Sequence, residues 1–305
     1  MSATSAHQSN QAPIRFKAGD GYRLAGTLYP AQGRRPGQAV TAAVVIHPAT
    51  AVPQRLYQPF AEFLASCGYA VLTYDYRGIG SSAPASLRGF SASMRDWMEL
   101  DVAAATQVLR ERFPGASLLA VGHSVGGHAL GISEATHQLR AALIVAAHAG
   151  YTGFIEQSVE RWRVGAMMRH VGPWCCRLLG YMPGSKLGLG EDLPAGVMRQ
   201  WARWTRLPNY FFDDPQLGAV QRFAQKRLPL LVLGFDDDPW ATRRAISAMM
   251  RHYSHCPIEH RQIAPATVGL DAIGHMGFFR RASARQLWPM AEAWLRAQVS
   301  ERNAA

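Results

Sequence analysis

SLLAVGHSVGGHALG, residues 117–131, sets the reading of the whole chain. An aliphatic run, Ser117 to Val121, has the continuous apolar character of a strand buried on both faces. It meets Gly122-His123-Ser124-Val125-Gly126, and a helical pattern comes next. A serine hydroxyl is a poor nucleophile until a base takes its proton, so it must be held exposed beside that base. A sharp strand-to-helix turn does this, and glycines two residues to either side leave room for the crossing backbone. The amide of Val125, opening the helix, then points at charge developing on a substrate oxygen. The pentapeptide alone is common; its place between strand and helix makes Ser124 a candidate nucleophile.

Outward from this point the chain alternates strand and helix. AAVVIHP (42–48), AVLTYDY (70–76), AALIVAAHA (141–149) and PLLVLGF (229–235) are further buried runs, and IEHRQIA (258–264) is a last strand. Residues 14–19 and 22–30 read as an opening hairpin turning at Asp20-Gly21. Helical spacing covers about 57–67, 93–113, 240–252 and 284–299. The pattern predicts an α/β fold with a mostly parallel central sheet and helices on both faces. Between residues 151 and 225 the rhythm breaks. Four of the eight tryptophans fall there (Trp162, Trp174, Trp201, Trp204) with no buried-strand pattern, which predicts a helical cap inserted into a core of 14–150 and 226–305. Aromatic residues on such an insertion either line an apolar pocket or fasten the cap to the body. The polar opening, 1–13, reads as a disordered tail.

Composition narrows the function classes. A net charge of +11 suggests nucleic acid, but 29 of the 32 basic residues are arginines scattered singly or in pairs, where a nucleic-acid binder concentrates its charge. No nucleic-acid partner is expected. No apolar run reaches the length of a membrane span, and the N-terminus lacks the layout of a secretory signal; a cytoplasmic protein is expected, with room for a homodimer. The four cysteines (Cys67, Cys175, Cys176, Cys256) match no zinc spacing, nor do His252, His255 and His260, so no metal is expected. No phosphate loop, nucleotide or flavin signature occurs, and attack by an activated serine hydroxyl needs no cofactor.

His275, in Ile273-Gly274-His275-Met276-Gly277 after the last strand, occupies a glycine-flanked loop from which an imidazole can reach Ser124. Strand 229–235 runs into Asp236-Asp237-Asp238-Pro239, which supplies an acid to orient it.

Together, HPATAVPQRLYQPFA, YDYRGIGSSAP, GHSVGGHALG, FDDDPWA and IGHMGFF resemble the α/β-hydrolase superfamily over residues 14–299. They are most similar to a bacterial group of predicted α/β hydrolases near the serine-aminopeptidase-like and monoacylglycerol-lipase-like hydrolases. The resemblance implies a triad of Ser124, Asp238 and His275. The register from Pro229 lands on Asp238, while counting from Gly234 lands on Asp237, the alternative acid. It implies an oxyanion hole from the Val125 amide and one in His47-Pro48-Ala49; proline has no N–H, which leaves Ala49. His47 and His123 lie near this site as shaping residues. The implied activity is hydrolysis of an ester or related acyl bond of a small molecule through an acyl-enzyme. An acyltransferase or peptidase with the same triad, and a ligand-binding protein on a dead hydrolase fold, are the alternatives.

Overall fold

A strand covered on both faces has no polar side to show, and all five continuous aliphatic runs form strands of this kind. The computed structural model describes residues 11–35 and 37–300. Its strands are β1 (Ala12–Lys17), β2 (Arg23–Tyr29), β3 (Ala42–His47), β4 (Ala70–Tyr74), β5 (Ser117–His123), β6 (Ala141–Val145), β7 (Tyr181–Met182), β8 (Leu193–Pro194), β9 (Leu230–Phe235) and β10 (Ile258–Ile263). Eight of them form one sheet in the order β1-β2-β4-β3-β5-β6-β9-β10. β2 runs antiparallel to β1 and β4; from β4 onward every pairing is parallel. β3, β4, β5, β6 and β9 are buried along their whole length, whereas edge strand β1 alternates.

Helices Gln58–Ser66, Val102–Arg112, Val125–Ile132, Arg243–Met250 and Ala284–Ser300 accompany the sheet. The first and last lie together, with Phe60 and Phe63 both 5.4 Å from the Trp288 ring. The helical pattern expected from 93 begins at a capping box. Ser93 accepts from the Asp96 amide while the Asp96 carboxylate takes the Ser93 amide. It continues through a π turn at Trp97–Asp101. Helix Arg243–Met250 starts three residues later than expected, because the Trp240 and Ala241 amides are spent on Asp238.

Two further boundaries differ from the sequence reading. Residues 1–10 of the expected tail lie outside the described residues, and Ala12 and Pro13 already pair with Leu28 and Thr27 in β1. A proline is tolerated there because β1 is an edge strand. The segment between β6 and β9 contains helices Ser158–Ala166, Gly172–Leu178, Ala195–Trp204 and Ala219–Ala224, and it also carries the antiparallel ribbon β7–β8. Strands of two residues are too short to show a period.

Register then sets the site. His47 pairs with Gly122, His123 with Val145, and Val145 with Leu233, so β3, β5, β6 and β9 end along one line. The loops leaving these strands gather at that edge, where open parallel sheets bind ligands.

Candidate active site

Ser124 sits at φ 51°, ψ −112°, a conformation costly for a residue with a side chain and of the kind concentrated at functional sites. Its amide donates to the Val145 carbonyl at 3.0 Å. The surrounding glycines are enforced by contact. A Cβ on Gly122 would lie 2.7 Å from both the Gly126 carbonyl oxygen and the Gly127 nitrogen, and one on Gly126 would run into the His47 carbonyl. Gly127, on the far side, would meet the Ala147 side chain. Val125 opens a fully buried helix, so its amide has no carbonyl one turn back to bond.

His275 and Asp238 meet directly. The imidazole Nδ1–H donates to Asp238 Oδ2 at 2.7 Å, and Asp238 Oδ1 accepts the amides of Trp240 (2.9 Å) and Ala241 (3.1 Å). Burial by itself pushes the Asp238 carboxyl up. The charge and hydrogen bond of His275 outweigh it, with help from His148 and the Ala241 amide, and hold the pKa at about 2. Asp237 does something else: its Oδ2 accepts the amides of Ile273 (2.7 Å) and Gly274 (2.9 Å), tethering the backbone that leads into His275.

His123, beside Ser124, ties the two loops together. Its Nε2 faces the His275 carbonyl at 2.8 Å and its Nδ1 faces the Tyr57 hydroxyl at 2.8 Å. A carbonyl only accepts, so the proton is on Nε2 and Nδ1 takes the tyrosine's hydrogen. The Tyr57 oxygen in turn accepts the Ala49 N–H at 2.7 Å. This corrects one expectation: the Ala49 amide is engaged by Tyr57 rather than presented toward Ser124. Tyr57 is fully buried and its hydroxyl needs partners, and Ala49 and His123 are the ones it finds. His47 is likewise buried, bonded through Nδ1 to the Tyr74 hydroxyl at 2.9 Å. The structure thus brings His275, Asp238 and the His123-Ser124 turn to one edge of the sheet. Asp237 sits beneath the histidine loop.

Two residues at this edge were not singled out by sequence. The His148 ring is 5.7 Å from that of His275, and its Nδ1 faces the Ala146 carbonyl. The Trp240 ring is 5.0 Å from His275 on another side, with its indole N–H donating to Glu160 at 2.8 Å. A signal existed for His148: it lies three residues past the end of a central parallel strand. Among the described residues no three His, Cys, Asp or Glu side chains come together as a metal-holding group.

Burial holds four histidines neutral: His47, His123, His148 and His128, which lies in helix Val125–Ile132 with its Nε2 facing the His148 carbonyl at 2.7 Å. It lowers His47, His123 and His128 to about 3 and His148 to about 4, neighbouring imidazoles adding to the effect at the last three. Each folded-state pKa lies below the unfolded value near 6.5, so unfolding takes up protons as pH falls through 6.5 toward 4, and stability is lost over that window. Asp101, pushed up to about 6 by burial against the pull of Arg77, offsets one of the four. The buried histidines outnumber it, so the net effect is a loss of stability as pH falls from 7 toward 5. Urea midpoints at pH 7.5, 6 and 5 check this; a midpoint flat across that range contradicts it.

Residues 38–174 match the family model described as serine aminopeptidase, S33. Among solved structures, the α/β hydrolase GrgF from Penicillium sp. sh18 is 16% identical, with a TM-score of 0.62 over 97% of this chain and 99% of that one. An esterase from Pyrococcus furiosus is 15% identical, with a TM-score of 0.60 over 96% and 91%. Est1E from Butyrivibrio proteoclasticus is 15% identical, with a TM-score of 0.58 over 94% and 99%. At these identities the likeness is one of fold. No curated protein matches the chain.

Proposed function

We propose that this chain, whose fold is that of the α/β hydrolases, cleaves an ester or related acyl bond by attack of Ser124, through an acyl-enzyme. The observation that carries this reading is the strained turn at Ser124, held by His123 against the loop whose imidazole pairs with Asp238. Because Nδ1 of His275 is committed to Asp238, Nε2 is the nitrogen that takes the Ser124 proton as Oγ bonds to the acyl carbon. The proton then passes to the leaving alcohol as the carbon–oxygen bond breaks. A water, deprotonated by the same Nε2, frees the acid and returns the proton to Ser124. Asp238, ionised down to about pH 2, holds the ring and stabilises the imidazolium. The Val125 amide, at a helix N-terminus, donates to the oxyanion. The insertion over 151–225 acts as a cap that selects the substrate.

A second reading, amide cleavage at a peptide N-terminus, is favoured by the family match over 38–174. A free amine needs an acidic partner, and Glu160, the carboxylate bonded to Trp240 beside the site, is already paired with Arg163. Ester cleavage is therefore the stronger reading. Turnover of short p-nitrophenyl esters against matched aminoacyl p-nitroanilides separates the two: the esters are expected to react and the anilides not to.

A further inference from the structure

The insertion turns one apolar face inward and a second one outward. The chain from Ser158 is helical to Leu178 with a π turn at Met167–Val171. Its inner stripe includes Met168, Gly172 and Cys176, all buried. Gly172 lies so close to Met198 of helix Ala195–Trp204 that a Cβ there would strike its side chain. Helices that pack once are polar on the other side. Here Val159 (73% exposed), Trp162 (73%), Val171 (40%), Trp174 (60%) and Leu178 (64%) stand in solvent. The π turn inserts an extra residue, so the step from Ala166 to Val171 keeps these side chains on one face.

This helix is basic as well as apolar. Between Ser158 and Leu178 it carries Arg161, Arg163, Arg169 and Arg177 against a single acid, Glu160. Glu160 is already bonded to Arg163 and Trp240. A second copy of the chain is a poor occupant, because a two-fold contact sets each surface against itself and would bring these arginines together. Tryptophans among arginines on an amphipathic helix fit the boundary of an anionic bilayer, where rings enter the headgroup layer and guanidinium groups meet phosphate. The same helix reaches the site, since Glu160 holds Trp240 and Trp240 lies against His275.

We propose that the outer face of the helix from Ser158 to Leu178 docks on an anionic lipid surface, so that the site receives amphiphilic acyl esters carried in that surface. Delivery to Ser124 rests on the serine-hydrolase reading; docking does not. Among the described residues no helix is long and apolar enough to cross a membrane, so the contact is peripheral.

Flotation of the full chain with vesicles of phosphatidylcholine, alone or mixed with phosphatidylglycerol, tests the docking. Binding to the mixed vesicles is expected to be at least about tenfold tighter, and to weaken as salt is raised. Trp162→Gln with Trp174→Gln is expected to weaken it by about tenfold or more, while turnover of a soluble short ester stays at the wild-type level. Arg163→Gln with Arg177→Gln gives an independent loss, confined to the anionic vesicles. Failure to float, binding indifferent to the tryptophan pair, or a dimer that the tryptophan pair dissociates would each overturn the proposal. Ser124→Ala is expected to float as wild type does, so an error about the nucleophile leaves this result untouched.

Discussion

Asp238→Asn lowers kcat for a short ester by about 10⁴-fold, while Asp237→Asn lowers it by less than about tenfold. The difference comes from which lone pairs are already spoken for. Asp238 Oδ1 accepts the Trp240 and Ala241 amides, and Oδ2 accepts Nδ1–H of His275. In an asparagine the one remaining oxygen must keep the two backbone amides, which turns the NH₂ group toward Nδ1. Nδ1 then has to accept, the proton moves to Nε2, and Nε2 can no longer take the serine's hydrogen. At Asp237 a single oxygen accepts both loop amides. An asparagine oxygen can do the same, so the histidine loop stays tethered. Steady-state kinetics on the two variants, with circular dichroism to confirm folding, check the contrast.

Ser124→Ala removes turnover almost completely, by about 10⁶-fold in kcat, with little change in stability. Alanine keeps the Cβ, so the strain at φ 51° is the same in both chains. Among the described residues no other protein atom is hydrogen-bonded to the Ser124 hydroxyl, so the fold loses no bond of its own when it goes. The change deletes the proposed nucleophile and leaves the Val125 amide, His275 and Asp238 in place. Their residual effect on water attack sets the floor of the measurement. Turnover within tenfold of wild type would mean that another group attacks the substrate.

Much of the fold is legible in the residues alone. The five aliphatic runs announce central strands because nothing in them alternates, and Gly122, Gly126 and Gly127 mark the turn because a side chain at each would strike backbone or a neighbour. Whether Asp237 or Asp238 pairs with His275 is not legible. The two are adjacent, and the answer depends on which carboxylate the Trp240 and Ala241 amides fix. The Ala49 amide misleads for a similar reason: its partner is a hydroxyl eight residues on, brought back by the short 3₁₀ turn Gln54–Tyr57. His148 carries no local punctuation; only its place past the end of β6 gives it meaning. In the insertion, Trp204 is buried with its indole on Asp214, while Trp162 and Trp174 face outward. Counting aromatics cannot separate these, because a count says nothing of which face of its helix each ring occupies.

The proposed chemistry depends on Ser124 being activated by His275, and a fluorophosphonate probe reads that directly. On the folded wild-type chain, peptide mass spectrometry is expected to find the phosphonyl adduct on Ser124, with labelling slowed by several orders of magnitude in His275→Ala. An adduct on a different serine, or Ser124 labelled as fast without His275 as with it, would contradict that chemistry.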